Sequence, residues 1–235
     1  MMWTLKEFPS SALMEAAAAD YITDKIQQSL EAHSAARLLL SGGSSPKPIY
    51  ESLSRKDLAW GQVTVGLVDE RWVAPNHKGS NEAFIKNTLL QNKAQLANFI
   101  PMKTDHNTAK EAADAVSLSY SQNFTAPYIS VMGMGLDGHT ASLFPSADDL
   151  NHALDMNSDD FTCAFDASGC EVAGNFPSRM TMTLPAVMGS EEIILLIAGE
   201  AKRAVFEQAA NAPLFDAPVK SLLNAVPRLI VFWGA

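Results

Sequence analysis

The stretch "MGMGLDGHTASLFP", residues 132–145, places His139 behind three glycines and two positions after Asp137. An imidazole titrates close to neutral pH and can move protons on carbon or activate water, and a nearby carboxylate can orient it and select one tautomer. The spelling G-x-G-x-x-G over Gly133, Gly135 and Gly138 also matches a dinucleotide fingerprint. That fingerprint needs a long helix after its glycines and an acid about 20 residues further on. Pro145 interrupts any such helix within two turns, so the glycines are read as a tight loop presenting Asp137 and His139. A purely structural hydrogen-bonding role for His139 is the alternative.

Three further segments carry groups suited to an anionic ligand. In "SGGSSPKP" (41–48), Gly42 and Gly43 let the backbone approach a phosphate, Ser44 and Ser45 offer hydroxyls, and Pro46 suits a first helical position. The Walker spacing is absent, and an ordinary strand-to-helix turn is the other reading. "DERW" (69–72) supplies Asp69 and Arg71 as substrate-binding candidates. The guanidinium fork matches a phosphate or a developing oxyanion, or else pairs with its acidic neighbours. "GEAKR" (199–203) contributes Lys202, which taken alone reads as a solvated residue at a helix start.

A protein nucleophile is not evident, because Ser44 and Ser142 lack a G-x-S-x-G elbow. His33, His77, His106, His139 and His152 are scattered without metal-ligand spacing, so neither metal nor cofactor is expected. Activation of water, or proton movement on a sugar carbon, remains for His139.

The elements that must position these groups follow from periodicity. "ARLLL" (36–40), "VTVGLV" (63–68), "YISVM" (128–132), "EIILLIA" (192–198) and "RLIVFW" (228–233) read as strands buried on both faces, after a short N-terminal strand. A helix is predicted from Pro9 to about Ala32, with stripes Leu13, Ala17, Tyr21 and Met14, Ala18, Ile22, Ile26, Leu30. Others start near Ser80 or Asn81, at Thr108 and after Gly199. The expected fold is α/β: a modified Rossmann-like, mostly parallel sheet with helices on both faces, forming one domain over residues 1–235. Residues 146–174 read as a loop-rich excursion, with short antiparallel strands around Phe161 to Asp166 and a position that suits a lid. In such sheets ligands bind beyond the carboxyl ends of the strands, which is where the four candidate segments fall.

Composition narrows the partners. The chain has 17 Lys and Arg against 26 Asp and Glu, a net charge of −9, and no basic run to neutralise a nucleic-acid backbone. An acidic protein that binds an anion must gather its few cations at one place. Cys163 and Cys170 match no disulfide framework or C-x-x-C site, and no apolar run has the length of a membrane span or signal. A cytoplasmic protein is expected, with a monomer favoured and without nucleic-acid or membrane partners.

Taken together and in order, "LSGGSSPKPIYESL", "VDERWVAPNHKGSNEAFI", "MGMGLDGHTASLFP", "PSRMTMTLPAV" and "LLIAGEAKRAVFEQA" resemble the 6-phosphogluconolactonases, within the superfamily that includes glucosamine-6-phosphate deaminases and isomerases. The resemblance covers nearly the whole chain. It implies hydrolysis of 6-phospho-D-glucono-1,5-lactone in the oxidative pentose phosphate pathway, with His139 as general base, Asp137 orienting it and Arg71 near the reacting carbonyl or the phosphate. It further implies that Gly42, Gly43 and Ser44 bind the phosphate with Lys202, and that Arg179 adds a substrate contact. Deaminases typically carry asparagine-glutamate-proline after the histidine and an aromatic after Asp-Glu. Here Ser142, Leu143 and Phe144 precede Pro145, and Arg71 follows Glu70, as in the lactonases; Ser45 replaces their usual threonine. A sugar-phosphate isomerase or deaminase, and a non-catalytic sugar-phosphate sensor, are the alternative functions.

Overall fold

The apolar runs become the strands that carry the site. The computed structural model describes residues 3–225 and 228–235; Met1, Met2, Val226 and Pro227, which the one-domain expectation includes, lie outside that description. Its strands are β1 (Thr4–Phe8), β2 (Ala36–Leu40), β3 (Val63–Leu67), β4 (Asp69–Arg71), β5 (Asn98–Phe99), β6 (Ile129–Gly133), β7 (Thr162–Asp166), β8 (Ser178–Met182), β9 (Glu192–Ala198) and β10 (Leu229–Gly234). Its α-helices are α1 (Ser11–His33), α2 (Lys47–Leu53), α3 (Asn81–Thr88), α4 (Ala109–Asn123), α5 (Leu150–Leu154), α6 (Leu184–Met188) and α7 (Glu200–Ala209).

Seven strands form one sheet in the order β1-β10-β9-β6-β2-β3-β5, with every neighbouring pair parallel. In its middle, Leu38 lies opposite Val65 on one side and Ile129 on the other. Leu38, Val65, Val131, Ile194 and Leu195 are fully buried, as strands covered by helices require.

Local signals account for the long helices. The Ser10 side chain accepts from the Leu13 amide and starts α1; Ser34, at φ 56°, ends it. The stripe Met14, Ala18, Ile22, Ile26, Leu30 is buried, whereas Leu13 is 54% exposed and Ala17 and Tyr21 only flank the core. Thr108 and Glu111 form a reciprocal capping box at the start of α4.

One departure matters for function. "DERW" does not simply trail from a parallel strand: Asp69–Arg71 is a strand of a second, antiparallel sheet ordered β4-β8-β7. Val68 is the joint, its amide donating to Leu40 O in the first sheet and its carbonyl accepting from Met182 of the second. The excursion after Pro145 contains α5 and β7 and buries Phe144, Leu150, Leu154, Phe165 and Leu184 in a small core of its own. Among the described residues no helix is long and apolar enough to cross a membrane.

Candidate active site

The loop after β6 holds a carboxylate and an imidazole in contact. His139 Nδ1 lies 2.5 Å from Asp137 Oδ1, which also accepts the His139 backbone N–H at 3.2 Å. A carboxylate at Nδ1 assigns the proton of a neutral ring to that nitrogen and leaves the Nε2 lone pair available. The Phe144 ring packs against the imidazole with centroids 4.6 Å apart. Burial pushes the Asp137 carboxyl up, but the hydrogen bonds from His139 and the imidazole's charge outweigh it and hold the carboxyl below its usual range. Asp137 therefore contributes stability above its unfolded-state pKa and loses that contribution as pH falls through the lower folded value.

Glycine is required here by contact. A Cβ on Gly135 would stand 2.2 Å from His139 Nδ1 and 2.4 Å from Asp137 Oδ1. The turn is closed by the Gly138 amide on Gly135 O and the Gly135 amide on His139 O, and no helix opens behind it. The dinucleotide spelling is thus a tight turn around the hydrogen-bonded Asp137–His139 pair.

Asp69 ties this loop to two other segments. Its Oδ2 accepts the Ser142 hydroxyl at 2.6 Å, and Asn81 Nδ2 donates to its carbonyl at 2.8 Å and to its Oδ1 at 3.1 Å. Ser142, fully buried and committed to Asp69, is not placed as a nucleophile. Arg179 Nη1 lies 3.9 Å from Asp69 Oδ2, while its Nε and Nη2 donate to Phe176 O and Ala173 O. The same guanidinium lies over the Phe144 ring, 5.3 Å from its centroid.

Arg71 sits directly opposite Arg179 in the β4–β8 ladder. Its Nη1 donates to Gly79 O at 2.7 Å, its buried Nε has no partner among the described residues, and it makes no ion pair with Asp69 or Glu70. Two like charges facing across a ladder repel, which favours an anion between them. Lys202, in the first turn of α7, is half-buried, and burial pulls its ammonium below the usual range.

The glycine-serine loop forms the opposite wall. Gly43 adopts φ +114°, and Pro46 stands at the cap of α2 rather than at its first helical position. Gly42 is packed so closely that a Cβ would lie 2.1 Å from Asn81 Oδ1. Gly42→Ala must therefore displace Asn81 from Asp69, and turnover efficiency is expected to fall on the order of 10²-fold, with the melting temperature lowered as well because buried Asn81 and Asp69 lose their hydrogen bonds. Steady-state kinetics beside a thermal melt checks this.

The cavity so enclosed has a volume of about 280 Å³ and is lined by Gly42, Gly43, Ser44, Asp69, Arg71, His139, Arg179 and Lys202. Asp137, the remaining candidate from the sequence, stands behind His139. Sequence reasoning missed Ser41, Asn81 and Phe144, which also line it. Asn81 was legible only as a possible helix cap, a role Ser80 takes by accepting from Ala83 N. Ser41 also has a buried hydroxyl with no hydrogen-bond partner among the described residues.

The sequence model described as "Glucosamine-6-phosphate isomerases/6-phosphogluconolactonase" matches residues 9–230. The 6-phosphogluconolactonase of Neisseria meningitidis serogroup A is 35% identical over 229 residues, covering 95% of each chain. That of Xylella fastidiosa strain Temecula1 is 38% identical over 202 residues, covering 85% of this chain and 83% of its own. A crystal structure of a 6-phosphogluconolactonase from Shewanella baltica superposes with a TM-score of 0.92 at 33% identity, covering 100% of this chain and 98% of that one. With the sequence model, these relatives and the fold in agreement, the chain belongs to the glucosamine-6-phosphate isomerase/6-phosphogluconolactonase family.

Proposed function

We propose that this protein hydrolyses 6-phospho-D-glucono-1,5-lactone to 6-phospho-D-gluconate, in the oxidative pentose phosphate pathway, with His139 as general base. The observation that carries the reading is the Asp137-held imidazole on the wall of a cavity whose other polar walls are the glycine-serine loop, Arg71, Arg179 and Lys202. Phe144 favours hydrolysis over amino-sugar deamination. In the position before Pro145, where the deaminase pattern has its glutamate, an apolar ring packs on the imidazole.

The phosphate is bound by the amides and hydroxyl of Gly42, Gly43 and Ser44 together with Lys202. His139 Nε2 takes a proton from a water as the water oxygen bonds to the lactone carbonyl carbon. Arg71, with Arg179 beside it, stabilises the resulting tetrahedral oxyanion. That intermediate collapses by breaking the bond from the carbonyl carbon to the ring oxygen, and the departing alkoxide takes the proton back from His139. General-base help supplies about 10²- to 10⁴-fold, and each well-aimed oxyanion donor about 3 kcal/mol, enough for an already reactive ester.

Product formation from freshly generated 6-phosphoglucono-1,5-lactone, measured above the spontaneous rate, tests the reading. Acceleration supports it; no acceleration, or ammonia release from glucosamine 6-phosphate, overturns it. Asp137→Asn is expected to lower kcat on the order of 10²- to 10⁴-fold by stabilising the wrong tautomer, with KM changing far less. Steady-state kinetics on the folded variant decides this.

A further inference from the structure

Behind the cavity wall, a second histidine holds the carbonyl that holds Arg71. The Arg71 guanidinium has one acceptor among the described residues, Gly79 O, to which Nη1 donates at 2.7 Å; its buried Nε has none. The direction of that carbonyl therefore sets the direction of the guanidinium.

His77 fixes Gly79 from both sides. The N–H of the Lys78–Gly79 peptide donates to His77 Nδ1 at 3.0 Å. The next peptide, whose carbonyl meets Arg71, has its N–H on Ser80, and that N–H donates to His77 O at 2.9 Å. With both flanking peptides bound to one residue, Gly79 has little freedom to rotate. Acceptance at Nδ1 assigns the proton of a neutral His77 ring to Nε2, the opposite tautomer to that of His139.

The His77 imidazole is itself held by packing. It meets the Phe176 ring edge-on, with centroids 5.4 Å apart and planes at 73°. A Cβ on Gly79 would stand 2.9 Å from Phe176 Cζ and 3.1 Å from His77 Nδ1, so the three residues leave no space between them. Phe176 O in turn accepts from Arg179 Nε. His77 thus stands between the loop that holds Arg71 and the turn that holds Arg179, while His77, Gly79 and Phe176 are not among the residues that line the cavity.

We infer that His77 is a positioning residue: through Gly79 it aims the Arg71 guanidinium at the oxyanion of the lactone reaction. This rests on the reading of Arg71 as an oxyanion donor, and adds to it a side chain outside the cavity. Such a donor acts in full only when it is directed at the place where charge develops, and a misplacement of about 1 Å can cost on the order of 10²-fold in rate. The part of His77 that matters is the acceptor at Nδ1.

Two variants separate that acceptor from the ring. His77→Phe keeps a ring for Phe176 and lacks the acceptor, whereas His77→Asn lacks the ring and offers Oδ1 to the N–H two residues on. With 6-phosphoglucono-1,5-lactone, His77→Phe should lower kcat at least about tenfold with KM within about threefold, and His77→Asn should keep kcat within about threefold of the original. In an Arg71→Ala background, His77→Phe should change kcat by less than about twofold, because the group it aims is gone. Arginine-selective ¹⁵N spectra follow Arg71 with no substrate present. Its guanidinium resonance, identified by its loss in Arg71→Lys, should move in His77→Phe and hold its place in His77→Asn.

An unchanged kcat in His77→Phe, an equal loss in His77→Asn, an additive loss in the Arg71→Ala background or an Arg71 resonance unmoved by His77→Phe each overturns the inference. If the unaltered protein does not accelerate hydrolysis, the proposed function falls, and the spectra decide by themselves whether His77 holds Arg71. Should His77→Phe fail to fold, the imidazole ¹⁵N shifts of the unaltered protein decide: a neutral His77 protonated at Nε2 supports the inference, and one protonated at Nδ1 overturns it.

Discussion

His139→Ala is expected to lower kcat for lactone hydrolysis by about 10²- to 10⁴-fold while leaving the affinity for 6-phosphogluconate within a few-fold of the original. The split follows from the geometry. The imidazole is held by Asp137 at Nδ1 and by the Phe144 ring, and none of its contacts supports the Gly42–Ser44 loop or Lys202. On the proposed mechanism, removing it deletes the proton acceptor and leaves the Gly42–Ser44 loop and Lys202 in place. Product titration and steady-state kinetics on the same preparation measure both quantities. A variant that keeps nearly full kcat excludes His139 as the base, and one that loses product affinity in proportion assigns the histidine to binding.

Glu70→Ala is expected to cost about 3 to 5 kcal/mol of stability, because truncating a buried charged acceptor leaves its partners unpaired. Glu70 is fully buried, and its Oε1 accepts the Arg71 and Asn81 amides, both at 2.7 Å, while its Oε2 accepts the Ser80 hydroxyl at 2.9 Å and the Glu82 amide at 2.8 Å. Burial pushes its carboxyl above the ordinary range against the pull of those four donors. This one side chain joins β4 to the first turn of α3, and so fixes Arg71 relative to Asn81. For a chain of this size the loss corresponds to a melting temperature roughly 6 to 20 °C lower. Differential scanning calorimetry reads it directly; a shift under about 2 °C would show that other contacts hold the junction.

Much of the architecture was legible because its signals are local. Five apolar runs predicted five strands, and the helix start read at Thr108 is where the structure caps α4. The site was legible in its histidine and its glycine loops, because clustered glycines mark a tight turn or a close approach to the backbone and an acid two residues from a histidine can meet it without help from the rest of the fold. Asn81 and Ser41 were not legible. Asn81 matters through Asp69 and Gly42, partners 12 and 39 positions away, and Ser41 only through the cavity it lines. The strand "SRMTM" was not legible as a strand although Arg179 and Thr181 alternate with Met180 and Met182; all four are buried, so its polar face meets other protein groups and not solvent.

The sequence by itself determined the main strands and long helices, the parallel sheet, the glycine-serine loop and the Asp137–His139 pair, each set by neighbours along the chain through periodicity, capping and backbone freedom. The tertiary structure alone decided that Asp69–Arg71 leaves the main sheet for a second one, that Arg71 faces Arg179, and that Ser142 is bound to Asp69 and withdrawn from chemistry. Those outcomes depend on strand pairing and on side chains meeting across 73 or more positions of sequence. No local propensity encodes them, because burial and hydrogen-bond satisfaction are properties of the assembled core.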